Sequence, residues 1–100
     1  MAKLFITISD VKRIIFLIHR RTILKLQLKS YDYQKKEHKS KIIILEVLLN
    51  FIEAELKRFH DDDIEHIDRS LMEGYTEKEI SSMYRYYISK QKRKLSRWNK

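Results

Sequence analysis

Glycine and proline, the residues that interrupt helices most strongly, are almost missing from this chain of 100 residues. Proline is absent and the only glycine is Gly74, so residues 1–73 contain neither strong helix breaker. A β-rich fold needs many turns, and glycine and proline form a large share of them. The sequence therefore predicts an all-α fold of long helices, with one conformationally special position at residue 74.

Length and composition limit the remaining choices. One hundred residues suit one domain with a modest core, whose stability can depend on a partner subunit. There is no cysteine, which excludes disulfides and thiolate metal sites and favours a cytoplasmic protein. The longest apolar run is 14–18, far below the roughly 18 residues of a membrane span, and no signal peptide is visible. We expect a helical scaffold over 1–60 and a basic module over 61–100.

The first helix is predicted over about 9–36, with Ser9 as its N-cap. Four apolar residues then lie on one helical face, at i, i+3, i+4 and i+7: Val11, Ile14, Ile15 and Ile18. In two stretches aliphatic residues recur at every second position as they do in strands: Leu4, Ile6 and Ile8, and Leu24, Leu26 and Leu28. A short β-α-β start before the later helices is therefore the alternative.

Residues 34–41 are polar throughout and are predicted to form a loop before a second helix over 41–59. The second helix has an apolar seam with spacings of three and four residues, and we predict self-association through it: Ile42, Leu45, Leu49, Ile52 and Leu56. Three more apolar residues flank this seam and widen the expected buried face: Ile44, Leu48 and Phe51. One partner helix does not cover so wide a face, so the pattern favours a homodimer.

Capping signals divide the next segment into two helices. Asp62 with Glu65 three residues later suggests a capping box at the start of one helix. Gly74 suits the position just past its end, because glycine tolerates the left-handed conformation. Thr76 with Glu79 suggests a second capping box, which starts the following helix.

The segment 61–80 resembles the C-terminal helix-turn-helix, region 4, of sigma-70-type factors and the sigma-like regulators of phages and plasmids. The resemblance is carried by Ile64, Ile67, Leu71, Glu73-Gly74-Tyr75, Thr76 and Glu79-Ile80. It implies a small transcription regulator that binds DNA. The family usually has a small-residue turn before its recognition helix, where this chain has Met83 to Ile88. The pattern therefore leaves open whether 76–98 is one helix or two.

The charge is distributed in three blocks. Residues 1–60 carry 13 basic and 6 acidic side chains, residues 61–82 carry 2 basic and 8 acidic ones, and residues 83–100 carry 7 basic and none acidic. Lys and Arg at this density bind phosphates, and Arg and Gln also make bidentate contacts with base edges. The predicted DNA-contacting residues are Arg85, Lys90, Gln91, Lys92, Arg93, Lys94 and Arg97. The alternative is a solvated C-terminal face without a ligand.

The sequence does not suggest catalysis. One glycine cannot build a phosphate-binding loop, and no Ser, His and Asp stand in a recognisable nucleophile context. The acidic run 61–63 beside His60 and His66 is better explained by helix capping than by a metal. We expect a DNA-binding regulator without a cofactor. The alternative is a helical adaptor or inhibitor that binds a host protein, and a weaker one is a protein on an anionic membrane surface.

Overall fold

A computed structural model describes residues 6–98, with side chains through residue 93. It contains four helices, α1 (Ile8–Lys29), α2 (Lys36–Leu56), α3 (Asp61–Met72) and α4 (Glu77–Trp98). The predicted all-α fold is therefore confirmed. No strand occurs within residues 6–98, and the alternating residues Leu24 to Leu28 lie inside α1, so the β-α-β start is not supported. Leu4 lies outside the described residues.

Helix α1 is the central element, because it contacts each of the other three helices. Its predicted apolar face is confirmed as the core, since Val11, Ile14, Ile15 and Ile18 are all buried. They pack with residues contributed by the other helices, namely Leu56, Ile67, Ile80 and Tyr84. Residues from both predicted regions, 1–60 and 61–100, thus share one hydrophobic core.

The start of α1 differs from the prediction, because Thr7 and not Ser9 is the N-cap. The Thr7 hydroxyl accepts a hydrogen bond from the Asp10 amide at 3.1 Å, and the Asp10 carboxylate accepts one from the Thr7 amide at 3.0 Å. This reciprocal pair satisfies two amides that a helix start leaves without partners. Ser9 has Lys12 three residues later, which offers no acceptor for such a pair.

The first loop spans residues 30–35, so the predictions of a helix to residue 36 and a loop over 34–41 are wrong. Hydrogen bonds between side chains and the backbone stabilise this loop: the Ser30 hydroxyl donates to the Gln27 carbonyl, and the Asp32 carboxylate accepts from the Gln34 amide. Such local bonds compete with helix continuation. The polar residues 36–41 instead form the exposed first turns of α2, which ends at residue 56 rather than 59.

The apolar seam of α2, which was predicted to mediate self-association, packs on α1 within the chain. Ile42 and Leu56 are buried, whereas Leu45, Leu49 and Ile52 are half-buried. A bidentate ion pair between Arg13 of α1 and Glu55 of α2, with both contacts at 2.8 Å, joins the two helices. Hydrogen bonding by Glu55 raises the pKa of Arg13, and that of Glu55 is lowered by the same pair.

The flanking residues of α2, predicted to widen the buried face, are exposed in the single chain, and their burial between two copies of the chain stays a prediction. Five large apolar side chains are exposed along this side of the helix, which we call the α2 stripe: Ile43, Ile44, Val47, Leu48 and Phe51. The physical reason is that α1 is the main helix packed on α2, and one helix covers only a seam about as wide as the residues 42, 45, 49, 52 and 56.

Candidate nucleic-acid interface

The turn between α3 and α4 is built around Gly74. This residue has φ 95°, a conformation that side chains with a Cβ adopt at a cost. The Gly74 amide donates to the Leu71 carbonyl at 3.1 Å, and the Tyr75 amide donates to the Ser70 carbonyl at 3.0 Å. These two bonds form a Schellman motif. The prediction that Gly74 ends α3 in the left-handed conformation is confirmed.

Thr76 and Glu79 then cap α4 as predicted. The Glu79 carboxylate accepts hydrogen bonds from the Thr76 amide at 3.1 Å and from the Thr76 hydroxyl at 3.0 Å. The Thr76 hydroxyl in turn accepts from the Glu79 amide at 3.2 Å. The bonds from Thr76 hold the pKa of Glu79 below its usual value. Hydrogen bonds therefore fix both the end of α3 and the start of α4 on either side of the turn 73–76.

The start of α3 does not use the predicted Asp62–Glu65 capping box. The N-cap is His60, whose carbonyl accepts hydrogen bonds from the amides of Asp63 and Ile64 at 3.1 Å. The Glu65 carboxylate instead lies 3.2 Å from the Arg69 guanidinium, one turn further along the helix. The first-turn aspartates 61–63 remain well placed to interact with the helix dipole.

Helix α4 is continuous from Glu77 to Trp98, so 76–98 contains one helix and not two. Its 22 residues span about 33 Å at 1.5 Å per residue. The stretch from Met83 to Ile88 contains no helix breaker. The inner side of α4 packs on the core through Ile80, Tyr84 and Ile88. The separate recognition helix implied by the resemblance to sigma region 4 therefore does not occur.

Tyr84 connects α4 to the start of α3. It is buried, and its hydroxyl donates a hydrogen bond to the Asp63 carboxylate at 3.1 Å. Burial first, and then the Asp63 charge, raise the pKa of Tyr84 above its ordinary value. The Tyr84 ring also makes edge contacts with the rings of His66 and Tyr87. These contacts fix the position of α4 along α3.

The predicted DNA-contacting residues do not share one environment. Arg85, Lys90, Lys92 and Arg93 are exposed, and the Lys90 ammonium lies 5.7 Å from the centre of the Tyr86 ring. Gln91 is half-buried and lines a cavity, so it points less to solvent than the prediction requires. The side chains of Lys94 and Arg97 lie outside the described residues.

A second set of cations follows the side of α4 that borders α1. Lys78, Arg85 and Lys92 recur every seven residues, which places them along one side of a helix. Lys12 of α1 joins this side, because it lines a cleft together with Lys78 and Arg85. The regular spacing of Lys78 was a signal that sequence reasoning missed. Lys12 could not be assigned to this surface from sequence, because only the packing of α1 on α4 brings it there.

Other types of site find less support. The described residues contain no group of three or more His, Asp or Glu side chains positioned to hold a metal ion. None of the helices, as far as the structure describes them, combines the length and apolarity required to cross a bilayer. Comparisons of this chain with protein-family models, curated proteins and solved structures found no match. The functional proposal therefore depends on the charges and exposed surfaces of the chain.

Proposed function

We propose that this chain is a small DNA-binding regulator of transcription that contacts DNA through the basic part of α4. The observation that supports this most directly is the charge of that helix. Four of its side chains beyond Tyr84 are exposed and basic, and no acidic residue follows Glu79: Arg85, Lys90, Lys92 and Arg93. A helix of this kind fits the major groove and neutralises phosphates on both sides of it.

The exposed cations lie on two sides of α4 and suggest two roles. Lys90 and Arg93 lie three residues apart, on the side away from the core, and Lys94 and Arg97 share their face by sequence spacing. These four residues contact phosphates. Arg93 is also the candidate for a base edge, because the guanidinium group makes bidentate contacts with guanine, whereas Arg85 lies on the other side of the helix, beside Lys78. The helix pair α3–α4 corresponds to the segment that resembles sigma region 4, with α4 as the DNA-contacting helix.

The partner on the protein side is a second copy of the chain. The α2 stripe exposes five large apolar side chains on one side of the helix, and Phe51 is the most exposed of them, at 69%. An apolar surface of this kind on a soluble protein marks an interaction site. A two-fold symmetric dimer through α2 would cover the stripe and present two copies of α4 to DNA, as many DNA-binding dimers do.

The α2 stripe also supports a second candidate function, that of an adaptor or inhibitor that binds a host protein. An apolar helix of the partner could occupy the stripe in the way that amphipathic helices occupy hydrophobic grooves. In that case the cations of α4 would improve solubility without contacting DNA. The two functions predict different results. Only the DNA-binding regulator should bind duplex DNA, and the salt dependence of that binding should then come from the cations of α4.

The deciding experiment measures the affinity for random duplex DNA over a range of salt concentrations. Each phosphate neutralised contributes about −0.9 to the slope of log affinity against log salt. Replacing Lys90, Arg93, Lys94 and Arg97 by Gln should flatten the slope by as much as about 3.6, while helicity stays near wild type. The matched control replaces four exposed lysines around the α1–α2 loop by Gln: Lys25, Lys29, Lys36 and Lys39.

The control variant loses the same positive charge and should keep a slope close to that of the wild type. If the α4 variant and the control variant flatten the slope equally, binding reflects net charge and α4 is not a DNA-contacting surface. If the wild-type protein does not bind duplex at low salt, the DNA-binding proposal fails and the adaptor function is preferred.

A further inference from the structure

The cleft between α1 and α4 has the composition of an anion site. It has a volume of about 320 Å³ and is lined by residues of both helices, namely Lys12, Glu77, Lys78, Ser81 and Arg85. Three of these five side chains are cations and one is an anion. Within the described part of the chain, none of the three cations belongs to an ion pair. The cleft therefore keeps an excess of positive charge that no carboxylate neutralises by direct contact.

Ser81 provides an independent observation at the same place. Its side chain is only 4% exposed, and its hydroxyl oxygen has no hydrogen-bond partner among the described residues. A buried hydroxyl without a partner is unfavourable and therefore uncommon. Two other helical hydroxyls donate to the carbonyl four residues earlier, Thr22 to Ile18 at 3.0 Å and Ser70 to His66 at 2.9 Å. Ser81 does not form this bond, although its position in α4 would allow it.

We infer that Lys12, Lys78, Ser81 and Arg85 form a binding site for a phosphate group. A phosphate oxygen accepts charge-assisted hydrogen bonds from the two ammonium groups and from the guanidinium, which can donate two at once. It also offers an acceptor for the Ser81 hydroxyl, which completes the hydrogen bonding of that group. Glu77 opposes the anion and limits the affinity, so neutralising it should strengthen binding.

The same chemistry suits two sources of phosphate, a free phosphate ion and a phosphodiester of the DNA backbone. The second source rests on the proposed function, and in that case the cleft extends the DNA-contacting surface from α4 onto α1. The first source is independent of DNA binding. The experiment therefore has one arm for each source.

The first arm measures the melting temperature in inorganic phosphate against sodium chloride of equal ionic strength. The wild-type protein should be stabilised by phosphate in a saturable way, since a ligand that binds only the folded state raises its stability. Arg85→Gln should weaken the apparent phosphate affinity about tenfold, whereas Glu77→Gln should strengthen it. Lys39→Gln, at an exposed position of α2, removes the same charge and should leave the affinity unchanged.

Ser81→Ala gives a readout that a purely structural role would not produce. Without phosphate the variant should melt at a higher temperature than the wild type, because a buried hydroxyl without a partner is removed. With phosphate it should gain less stability than the wild type does. If Ser81→Ala destabilises the phosphate-free protein, the hydroxyl has an intramolecular partner in solution, and its place in the site is refuted.

The second arm measures the salt dependence of duplex DNA binding by Arg85→Gln and by Lys12→Gln. If the cleft holds a backbone phosphate, each variant should flatten the slope, making it less negative by about 0.9, and Lys39→Gln should not. A response in the phosphate arm alone assigns the site to a free phosphate group, and the DNA-binding proposal is then judged separately by the α4 variant. If neither arm responds to Arg85→Gln, the cleft is not a phosphate site.

Discussion

Tyr84 of α4 donates a hydrogen bond of 3.1 Å to Asp63 in the first turn of α3. Gly74 joins the same two helices at the opposite end of α3. The pair α3–α4 is therefore held at two points, a covalent turn and a partly buried polar contact. Contacts near both ends of α3 fix the angle between α3 and α4, and this angle determines where the cations of α4 lie.

The first prediction concerns this contact. Tyr84→Phe keeps the ring packing and removes the hydroxyl, so it should lower the free energy of unfolding at pH 7 by about 1–2 kcal/mol. The control is Tyr86→Phe, because Tyr86 is 70% exposed and should change stability by less than about 0.5 kcal/mol. Urea unfolding of the three proteins measures both values. Equal stabilities of the wild type and Tyr84→Phe would contradict a structural role for the contact.

The pH dependence of the same pair follows from the raised pKa of Tyr84. A tyrosine in the unfolded chain titrates near pH 10, whereas the fold favours the neutral phenol. The stabilisation that comes from neutral Tyr84 is therefore complete below about pH 10 and decreases as the pH rises above it. The wild type should lose stability faster than Tyr84→Phe between pH 9 and 11.5, and parallel pH curves would contradict this.

The second prediction concerns the turn at Gly74. A Cβ at this position would meet nothing within 4 Å, so the cost of substitution comes from the backbone conformation alone. Gly74→Ala should destabilise the protein by about 1 kcal/mol and Gly74→Val by more, whereas Gly74→Asn should cost less, because asparagine tolerates positive φ. Thermal unfolding measures the order of the three variants, and Met72→Ala at an exposed neighbouring position serves as the control.

Gly74→Val should also weaken duplex DNA binding, because the turn sets the direction of α4. Loss of stability without loss of binding would show that α4 contacts DNA independently of its angle to α3. A variant that is silent in both assays would contradict the fixed turn and leave the resemblance to sigma region 4 as a coincidence of capping residues.

The third prediction concerns the capping box of α4. Thr76→Ala removes the hydroxyl that accepts from the Glu79 amide, which should cost about 1 kcal/mol at pH 7. The pKa of Glu79 is lowered in the folded state by bonds from Thr76, so its stabilisation is present above the unfolded pKa and is lost as the pH falls through the folded pKa. The difference between the wild type and Thr76→Ala should therefore shrink in acid.

An NMR titration of the Glu79 carboxyl gives a direct check. Its pKa should rise towards the ordinary value in Thr76→Ala, because the bond from the Thr76 hydroxyl is lost. An unchanged pKa would mean that the Thr76 amide alone accounts for the lowered value in the wild-type protein.

Two features determined by residues close in sequence could be predicted, but the caps of α1 and α3 could not, and neither could features determined by packing. The Gly74 turn and the Thr76–Glu79 box depend on residues at most five apart, so their patterns can be recognised in the sequence. The first loop was misplaced because its contacts include a bond from the Asp32 amide to the His38 ring across six residues. That bond forms only after the chain has turned.

The exposed surfaces were the least predictable part. The periodicity of α2 identifies two adjacent apolar stripes, yet it does not say which stripe another helix covers. The cleft at Lys12 and Arg85 joins residues that are 73 positions apart in the sequence. Both features depend on how α1 lies against its neighbours, which a single sequence does not reveal.

The last prediction tests the proposed dimer by comparing two positions of α2. Phe51 belongs to the exposed α2 stripe, whereas Leu49 is half-buried in the seam towards α1. Phe51→Asp should therefore give a folded monomer, because it places a charge in the interface between copies and leaves the core intact. Leu49→Asp should cost several kcal/mol and unfold the chain itself. Light scattering and circular dichroism together separate these two outcomes.

The control is Asn50→Asp, which adds the same charge to an exposed polar position of the same helix and should leave the assembly as it is. Phe51→Asp should also weaken duplex DNA binding more than Asn50→Asp does, because a monomer presents one α4 to DNA and loses the gain from two linked contacts. A wild-type chain that stays monomeric at high micromolar concentration would exclude the second copy as the partner. The α2 stripe would then support the adaptor function, since only a different protein would remain to cover it.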